Sequence, residues 1–372
     1  MSVRAVVLAA VLAASALVTV VAPASAATGG GKFVPLSQRV LDTRDGTGVQ
    51  VEGDHLVLDL SNVVPASANA VVVNITGADA NVDSFITAWP DGQARPDTSN
   101  LNVSRGQTAA NLTTVGLSSN GRIDLYVHGD LGVVADLFGY YDQNSGAGYL
   151  NANPSRVLDT RTSGGPVGPD GTTVLDLSRD PDFVTAVALN LTATDPTAAT
   201  YVTAWPDGSA RPTVSSINVA AGQTRANMVI LPLPPSKKIN LYNHAGSVNL
   251  VVDVVGIYVK DGGNSFYPVT PKRLVDTRTG APMGPGSVLT VNTGTEWLVA
   301  GNITATNATT DTYLTVWDPE RDPRPDASTL NVGRGETVPN MLMQTGTNGK
   351  FSVYNHVGQV DVIVDMVGYF GN

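Results

Sequence analysis

The chain has 372 residues, of which 42% are hydrophobic and 15% are charged, with 38 glycines and 23 prolines; it is too apolar for a disordered chain and too rich in turn formers for long helices. The formal net charge of −10, without any run of basic residues, argues against nucleic acid or an anionic membrane surface as a partner. The lack of cysteine excludes disulfides, thiolate zinc sites and cysteine nucleophiles, and no cofactor is predicted.

The N-terminus, residues 1–26, has the features of a signal peptide. Arg4 provides a positive charge, residues 5–21 form an apolar stretch, and Ala24-Ser25-Ala26 matches the A-x-A cleavage pattern. A retained membrane anchor is the less favoured alternative, because an anchor needs a longer apolar span. We therefore predict a mature chain that is secreted, extracellular or associated with the cell surface, with no membrane span after cleavage.

One unit occurs three times after the signal peptide. The opening hexapeptide Arg-Val-Leu-Asp-Thr-Arg at residues 39–44 returns unchanged at residues 156–161 and as Arg-Leu-Val-Asp-Thr-Arg at residues 273–278, each step being 117 residues. A tryptophan, a Tyr-x-His and an aspartate three residues before a glycine follow in the same order in each copy. We predict three tandem domains, residues 33–141, 149–259 and 266–370, joined by short polar linkers that contain glycine.

Within one unit the short apolar runs alternate with polar residues, which indicates strands rather than helices. The runs of the first unit are separated by turn-forming residues. They are residues 39–44, 55–60, 70–76, 85–89, 101–103, 110–117, 122–128 and 133–141. Eight strands in about 115 residues predict an all-β chain of three tandem β-sandwich domains of jelly-roll type.

A second, weaker repeat lies inside each unit. Asn74 precedes Trp89 by 15 residues and Asn111 precedes Tyr126 by 15 residues, so each unit contains two similar hairpins. A six-bladed propeller with two blades per unit is the alternative fold. It is less favoured because the step from Asn74 to Asn111 is 37 residues, whereas the next step, to Asn190, is 79 residues.

Two strands of each unit carry a face that combines aromatic and polar side chains. Because side chains alternate along a strand, Phe85, Thr87 and Trp89 share one face, and Tyr126 and His128 share another. Sugar rings stack on such aromatic faces, so we predict ligand binding there; the alternative is a second core layer or packing between domains. The predicted ligand-binding residues are Trp89, Tyr126, His128, Trp205, Tyr242, His244, Trp317, Tyr354 and His356.

Asp136 lies in a run that is otherwise apolar on both faces, so its carboxylate needs a charged partner. We predict a buried ion pair with Arg44 or Arg39, repeated in the later units. Catalysis by Asp42 with Asp136, as in a glycoside hydrolase, is the enzymatic alternative. A three-histidine metal site requires the three domains to close around an axis, and no metal site is predicted.

These motifs resemble a repeat of exported actinobacterial proteins, in which an R-V-L-D-T-R opening, a T-x-W-P segment, an N-L-N-h strand and a D-V-V-G-Y-[FY] closing strand recur in tandem. The T-x-W-P segments here are residues 87–90, 203–206 and 315–318, and the closing strands are residues 136–141, 253–258 and 365–370. The resemblance covers almost the whole mature chain. It implies a non-catalytic accessory module of the cell surface or the secreted milieu, without assigning a ligand.

Together these features predict a non-enzymatic, multivalent binder of cell-envelope or environmental polysaccharide, because three linked weak sites raise avidity on a repetitive target. The first alternative is a structural or assembly component that binds a partner protein in an extracellular complex. The second alternative is a glycoside hydrolase. The middle unit, residues 149–260, is expected to fold on its own.

Overall fold

The computed structural model describes residues 29–344 and 346–372, so the predicted signal peptide lies outside the described residues. The described part consists of 25 strands and two 3₁₀ turns, Thr277–Thr279 and Thr347–Gly349. The all-β class predicted from the alternating runs is therefore confirmed.

The first repeat contains nine strands, one more than predicted, because it has an additional strand of two residues. They are β1 (Lys32–Asp42), β2 (Val51–Glu52), β3 (His55–Asp59), β4 (Ala68–Ala78), β5 (Ser84–Pro90), β6 (Leu101–Val103), β7 (Ala109–Gly116), β8 (Arg122–His128) and β9 (Gly132–Asp142).

The second and third repeats contain eight strands each. Those of the second repeat are β10 (Gly148–Asp159), β11 (Thr172–Asp176), β12 (Val184–Thr194), β13 (Thr200–Pro206), β14 (Ile217–Val219), β15 (Arg225–Pro232), β16 (Lys238–Asn243) and β17 (Asn249–Val259). Those of the third repeat are β18 (Ser265–Asp276), β19 (Val288–Asn292), β20 (Leu298–Thr306), β21 (Thr312–Trp317), β22 (Leu330–Val332), β23 (Val338–Gln344), β24 (Lys350–Asn355) and β25 (Asp361–Gly371).

Each repeat folds into two antiparallel sheets, which we call the inner and the outer sheet. The inner sheets have the strand orders β1-β9-β4-β7, β10-β17-β12-β15 and β18-β25-β20-β23. The outer sheets have the orders β2-β3-β8-β5-β6, β11-β16-β13-β14 and β19-β24-β21-β22. The two sheets of a repeat share one apolar core, in which Val71 and Val73 of β4 pack with Ile86 of β5. Each repeat is thus a β-sandwich, as predicted.

The inner sheets are covered on both faces. All 11 residues of β4 are buried: Val71 and Val73 face the outer sheet, and Ala70 and Val72 belong to a second cluster shared with the other two repeats. Because the three inner sheets face one another in this way, the six sheets close into a propeller-like ring around a pseudo-threefold axis. The ring consists of three sandwiches rather than six consecutive blades, which explains the irregular hairpin spacing.

One end of the axis is filled by six aromatic side chains, two from each repeat. Phe33 of the first repeat packs against Tyr258 of the second at 4.6 Å between ring centroids, and the Tyr258 hydroxyl is 2.7 Å from that of Tyr141. Tyr149 packs on Phe370 at 4.7 Å and Phe266 on Tyr141 at 4.6 Å, so each repeat contacts the next and the third contacts the first. All six rings are buried.

Six buried asparagines, those of the two hairpins of each repeat, join the repeats by hydrogen bonds. Asn227 Nδ2 donates to Asn74 Oδ1 at 3.0 Å, and Asn74 Nδ2 donates to the Ser215 carbonyl at 2.9 Å. The same pairs form between Asn340 and Asn190 at 2.9 Å and between Asn111 and Asn302 at 3.0 Å. A buried amide without a hydrogen-bond partner destabilises the folded protein. These hydrogen bonds therefore fix how the repeats are docked.

The predicted linkers are also paired with other strands. Ala147 pairs with Phe33 and Asn264 pairs with Tyr149 as isolated antiparallel bridges. Each repeat builds its own two sheets and pairs its first strand with the linker that follows it, but its inner face is covered by the other repeats. The structure therefore gives no support to the expectation that one repeat folds alone, because that repeat would expose its inner face to water.

Candidate functional site

The predicted binding residues lie on the outward face of the outer sheets. In the first repeat Phe85 is paired with His128, Thr87 with Tyr126, and Trp89 with Asp124, and paired residues of neighbouring strands share a face. The opposite face of these strands carries Ile86, Leu125 and the other core residues. We call the outward surface of each repeat its outer face.

An exposed histidine stacks on an aromatic ring in every outer face. His128 lies on Phe85 with 4.9 Å between ring centroids and an interplanar angle of 20°. His244 lies on Tyr201 at 4.6 Å and His356 on Tyr313 at 4.5 Å, with angles of 18° and 20°. Antiparallel pairing of the two strands produces this stack, since it places the last residues of β8 opposite the first residues of β5.

An arginine covers the tyrosine of each outer face. The Arg95 guanidinium carbon is 3.8 Å from the centre of the Tyr126 ring, and Arg211 and Arg324 lie over Tyr242 and Tyr354 at 3.6 and 3.7 Å. We missed these arginines in the sequence. A signal was present, because an Arg-Pro dipeptide follows each predicted tryptophan by six or seven residues.

The tryptophans do not form the open platforms that the sequence suggested. Trp89 is 4% exposed and Trp317 is 7% exposed. The loop after β5 folds back over the ring: Trp89 Nε1 donates to the Gln93 carbonyl at 3.0 Å, and Thr87 Oγ1 donates to the Thr98 carbonyl at 2.7 Å. Trp205 makes the corresponding bond to the Ser209 carbonyl at 3.1 Å and is only partly covered. The accessible groups of the outer faces are therefore the histidines and arginines.

The second outer face has the most ordered polar network. The Tyr242 hydroxyl donates to Asp170, and it lies 3.4 Å from His244 Nδ1. The hydrogen bond to Asp170 raises the pKa of Tyr242, because it stabilises the protonated hydroxyl. Tyr242 itself is buried beneath Arg211, so its ring supports the site rather than contacting a ligand directly.

Opposite its tryptophan, the first outer face carries a carboxylate where the other two outer faces carry neutral side chains. Asp124 is buried, its Oδ1 has no hydrogen-bond partner, and His55 Nε2 lies 3.8 Å away. Burial raises the pKa of Asp124 to about 6; the charge of Asp91 adds to this effect, while His55 opposes it. Asn240 and Ser352 occupy the corresponding positions opposite Trp205 and Trp317.

We expect Asp124→Asn to stabilise the protein at neutral pH by about 1–2 kcal/mol. The folded-state pKa lies above the ordinary value of 3.8, so the folded state binds the proton more tightly and the free energy of unfolding falls as the pH rises from about 4 to about 6. Urea unfolding of both proteins at pH 4 and pH 7 measures this effect. A gain of equal size at both pH values would contradict it.

The predicted ion pairs are confirmed, with Arg39 rather than Arg44 as the partner of Asp136. Arg39 Nε donates to Asp136 Oδ1 at 2.8 Å, and Asp136 is 1% exposed. Arg44 instead pairs with Asp42, which accepts from its Nε at 2.8 Å. The pairs Arg156 with Asp253 and Arg273 with Asp365 repeat the first at 3.0 and 2.9 Å.

The hydrogen bonds of the opening hexapeptide explain its three polar residue types. Its first arginine neutralises the aspartate of the closing strand, its aspartate holds the second arginine, and the Thr43 hydroxyl accepts from the Val133 amide at 2.9 Å. Asp42 and Asp136, the carboxylates of the hydrolase alternative, are both buried and held by guanidinium groups. Both carboxylates are thus engaged in ion pairs within the fold.

A polar cleft of about 640 Å³, which was not predicted, lies between the second and third repeats. Tyr313 and His356 of the third outer face line one side, and Arg161 lines another. Near the axis the cleft ends at Glu336, which accepts from Arg225 Nη1 at 2.8 Å and from Gln223 Nε2 at 2.9 Å. The third outer face thus continues into a groove between two repeats.

Across residues 29–344 and 346–372, no group of three or more histidine and carboxylate side chains is placed to hold a metal ion. The three repeats do close around an axis, but His128, His244 and His356 lie on separate outer sheets. The part of the chain that the structure describes contains no helix of the length and apolarity that a membrane span requires.

No family model matches this chain. No curated protein matches it either. Among solved structures, the chain has a weak likeness to the atomic structure of Sulfolobus turreted icosahedral virus, with 11% identity over 91% of this chain and 90% of that chain and a TM-score of 0.21. A structure of the triple jelly roll fold and turret assembly in an archaeal virus gives 9% identity over 92% and 91%, with a TM-score of 0.22. Scores this low say nothing about function.

Proposed function

We propose that this protein is an exported, non-catalytic binder of repetitive polysaccharide, from the cell envelope or the environment, which it holds through its three outer faces. One observation carries the proposal. Each outer face has an exposed histidine stacked on an aromatic side chain, beside a tyrosine covered by an arginine. This arrangement occurs three times around the ring of sheets, with nearly equal stacking and guanidinium-to-ring distances.

The chemistry of the outer faces suits a sugar. A guanidinium that lies flat on a tyrosine ring keeps its N–H edges free to donate to hydroxyl or carboxylate oxygens. Among the described residues, no carboxylate lies within 4.0 Å of Arg211 or Arg324, whereas Arg95 is 3.6 Å from Asp54. The imidazole ring offers a flat surface for C–H groups and a further polar atom, so each outer face combines stacking with hydrogen bonding.

The geometry of the ring suits a repetitive target. The docking of the repeats is fixed by the axial aromatic rings and the paired asparagines, so the three outer faces are held at set positions. Linked weak sites can raise the overall avidity by about 10²–10⁴ when the target presents several copies of the ligand. A single tight site is not needed.

The test is retention on insoluble chitin, peptidoglycan and cellulose. We expect the full mature chain to be retained on at least one of them, and a variant with Arg95→Gln, Arg211→Gln and Arg324→Gln to be lost to the supernatant. A control variant carries Arg105→Gln, Arg179→Gln and Lys260→Gln, which change the charge equally at exposed positions away from the stacked tyrosines. No retention of the full chain on any of the three, or equal loss in both variants, would overturn the proposal.

A structural or assembly role is the second candidate, and one observation favours it. Phe183 and Trp297 occupy corresponding positions just before β12 and β20, and they are 56% and 44% exposed. Large apolar side chains exposed at equivalent positions are typical of contact surfaces. Sedimentation velocity across a concentration series tests this role: association that is lost in Phe183→Asp with Trp297→Asp supports it, and a monomer at all concentrations contradicts it.

A further inference from the structure

In the second and third repeats, a short loop segment closes the edge between the two sheets. Its sequence is Pro-Val-Gly-Pro at residues 166–169 and Pro-Met-Gly-Pro at residues 282–285. Only the central apolar residue of each segment is buried, Val167 at 7% and Met283 at 6% exposed, and both belong to apolar core clusters. We call these segments plugs.

Backbone pairing and an asparagine hold each plug. Val167 exchanges two hydrogen bonds with Val248, of 2.8 and 3.0 Å, and Met283 exchanges two with Val360, of 2.8 and 3.1 Å. Asn243 Nδ2 donates to the carbonyls of Val167 and Gly168 at 3.0 Å each, and Asn355 makes the corresponding bonds in the third repeat. A plug is therefore an extended segment that adds one antiparallel bridge and one apolar side chain to the sandwich.

The first repeat lacks a plug. Residues 45–54, which follow its opening hexapeptide, are all exposed. Val127 occupies the position of Asn243 and Asn355, the asparagines that bond to the plugs. Leu131 occupies the position of Val248 and Val360. The described residues show no backbone hydrogen bond from the Leu131 amide or carbonyl.

An apolar niche of about 360 Å³ is open at this edge of the first repeat. Its walls come from the core-facing sides of β8 and β9 and from the hairpin of β2 and β3. Val51 at its rim is 65% exposed, and the nearby Val49 is 39% exposed. Most of its lining residues are apolar, namely Val51, Leu56, Leu125, Val127, Leu131 and Val133, and Thr43, Gly53, Asp54 and His55 complete the lining.

We propose that this niche binds an extended peptide of a partner protein, with the sequence chemistry Pro-apolar-Gly-Pro. The plugs of the other two repeats are the argument, because they show which occupant this edge accepts when it is filled. The guest would pair antiparallel with the free backbone of Leu131 and place its apolar side chain between the sheets, as Met283 does beside Val360. Flanking prolines restrict the unbound peptide, so the peptide loses less conformational entropy on binding.

The test uses a labelled synthetic peptide with the sequence of residues 279–287 and fluorescence anisotropy with the full mature chain. We expect saturable binding, and binding weaker by about tenfold or more for the same peptide carrying Met283→Asp, since a charged side chain cannot enter the niche. Absence of saturation up to about 1 mM protein, or equal binding of the two peptides, would overturn the proposal.

Two variants of the protein locate the binding. Val51→Asp alters an exposed rim residue, so it should leave the melting temperature unchanged and weaken binding by about tenfold. Val288→Asp alters a comparably exposed valine of the third repeat and should have no effect. Val127→Asn introduces the asparagine of the other repeats and should tighten binding. A Val51→Asp protein that binds as well as the unmodified chain would contradict the location.

Discussion

The isolated second repeat, residues 149–260, is expected not to fold as a monomer. In the whole chain its Ala186, Ala188, Met228 and Ile230 belong to the core shared with the other repeats. Cutting the repeat out exposes this face and leaves Asn190 and Asn227 without their partners in the other repeats. Both changes remove stabilisation from the folded repeat, because its inner apolar surface stays in water and its asparagines lose their hydrogen bonds to the other repeats.

Circular dichroism and sedimentation equilibrium measure this outcome. We expect either a broad, non-cooperative thermal transition or a trimer, in which three copies of the repeat rebuild the ring. The full mature chain is the control and should unfold cooperatively as a monomer. A cooperatively folded monomer of residues 149–260 would show that the shared core is not required.

Asp253→Ala is expected to lower the free energy of unfolding by about 2–4 kcal/mol. Asp253 is 1% exposed and holds Arg156 through two hydrogen bonds of 3.0 and 3.3 Å. Removing the carboxylate leaves the guanidinium without its main partner. The expected loss in the free energy of unfolding is smaller than for a fully buried ion pair, because the Arg156 side chain is 31% exposed and water can solvate it.

The matched control for this substitution is Arg161→Ala in the same hexapeptide. The Arg161 side chain is 45% exposed and pairs with Asp159, so its loss should cost at most about 1 kcal/mol. Urea unfolding of both variants and of the unmodified chain gives the comparison. Equal effects of the two substitutions would mean that burial does not distinguish the two ion pairs.

The strands and the ion pairs were predictable because they depend on local pattern. Alternating side chains identify a strand and its two faces, and an aspartate in a doubly apolar run requires a cation. The sequence left Arg39 and Arg44 as equal candidates for Asp136. The structure decides between them because the register shift between Pro35 and Gln38 places Arg39 directly opposite Asp136 across β1 and β9.

The closure of the ring was not predictable from the same patterns. Periodicity shows that both faces of β4 are apolar, but it does not show which sheet covers each face. Asn74 and Asn111 were interpreted as marks of a hairpin, whereas both donate hydrogen bonds across the boundaries between repeats. A buried asparagine side chain needs a hydrogen-bond partner, and only the three-dimensional structure identifies that partner.

The candidate site was predicted in part. The shared face of Tyr126 and His128 follows from strand parity, and the structure adds the stacking of His128 on Phe85. The burial of Trp89 was missed because it depends on how a loop of about ten residues folds back, which no periodicity describes. Any binding surface therefore centres on the stacked histidine and the arginine rather than on the tryptophan.

The dependence of avidity on the number of intact outer faces tests the central claim most directly. Variants with the arginine and histidine of one, two or three outer faces replaced, for example Arg211→Gln with His244→Ala, are titrated against the polysaccharide that retains the full chain. We predict a stepwise loss, with apparent affinity falling by about 10²–10⁴ between three intact faces and one. Unchanged affinity in the variant that lacks all three faces would contradict the claim.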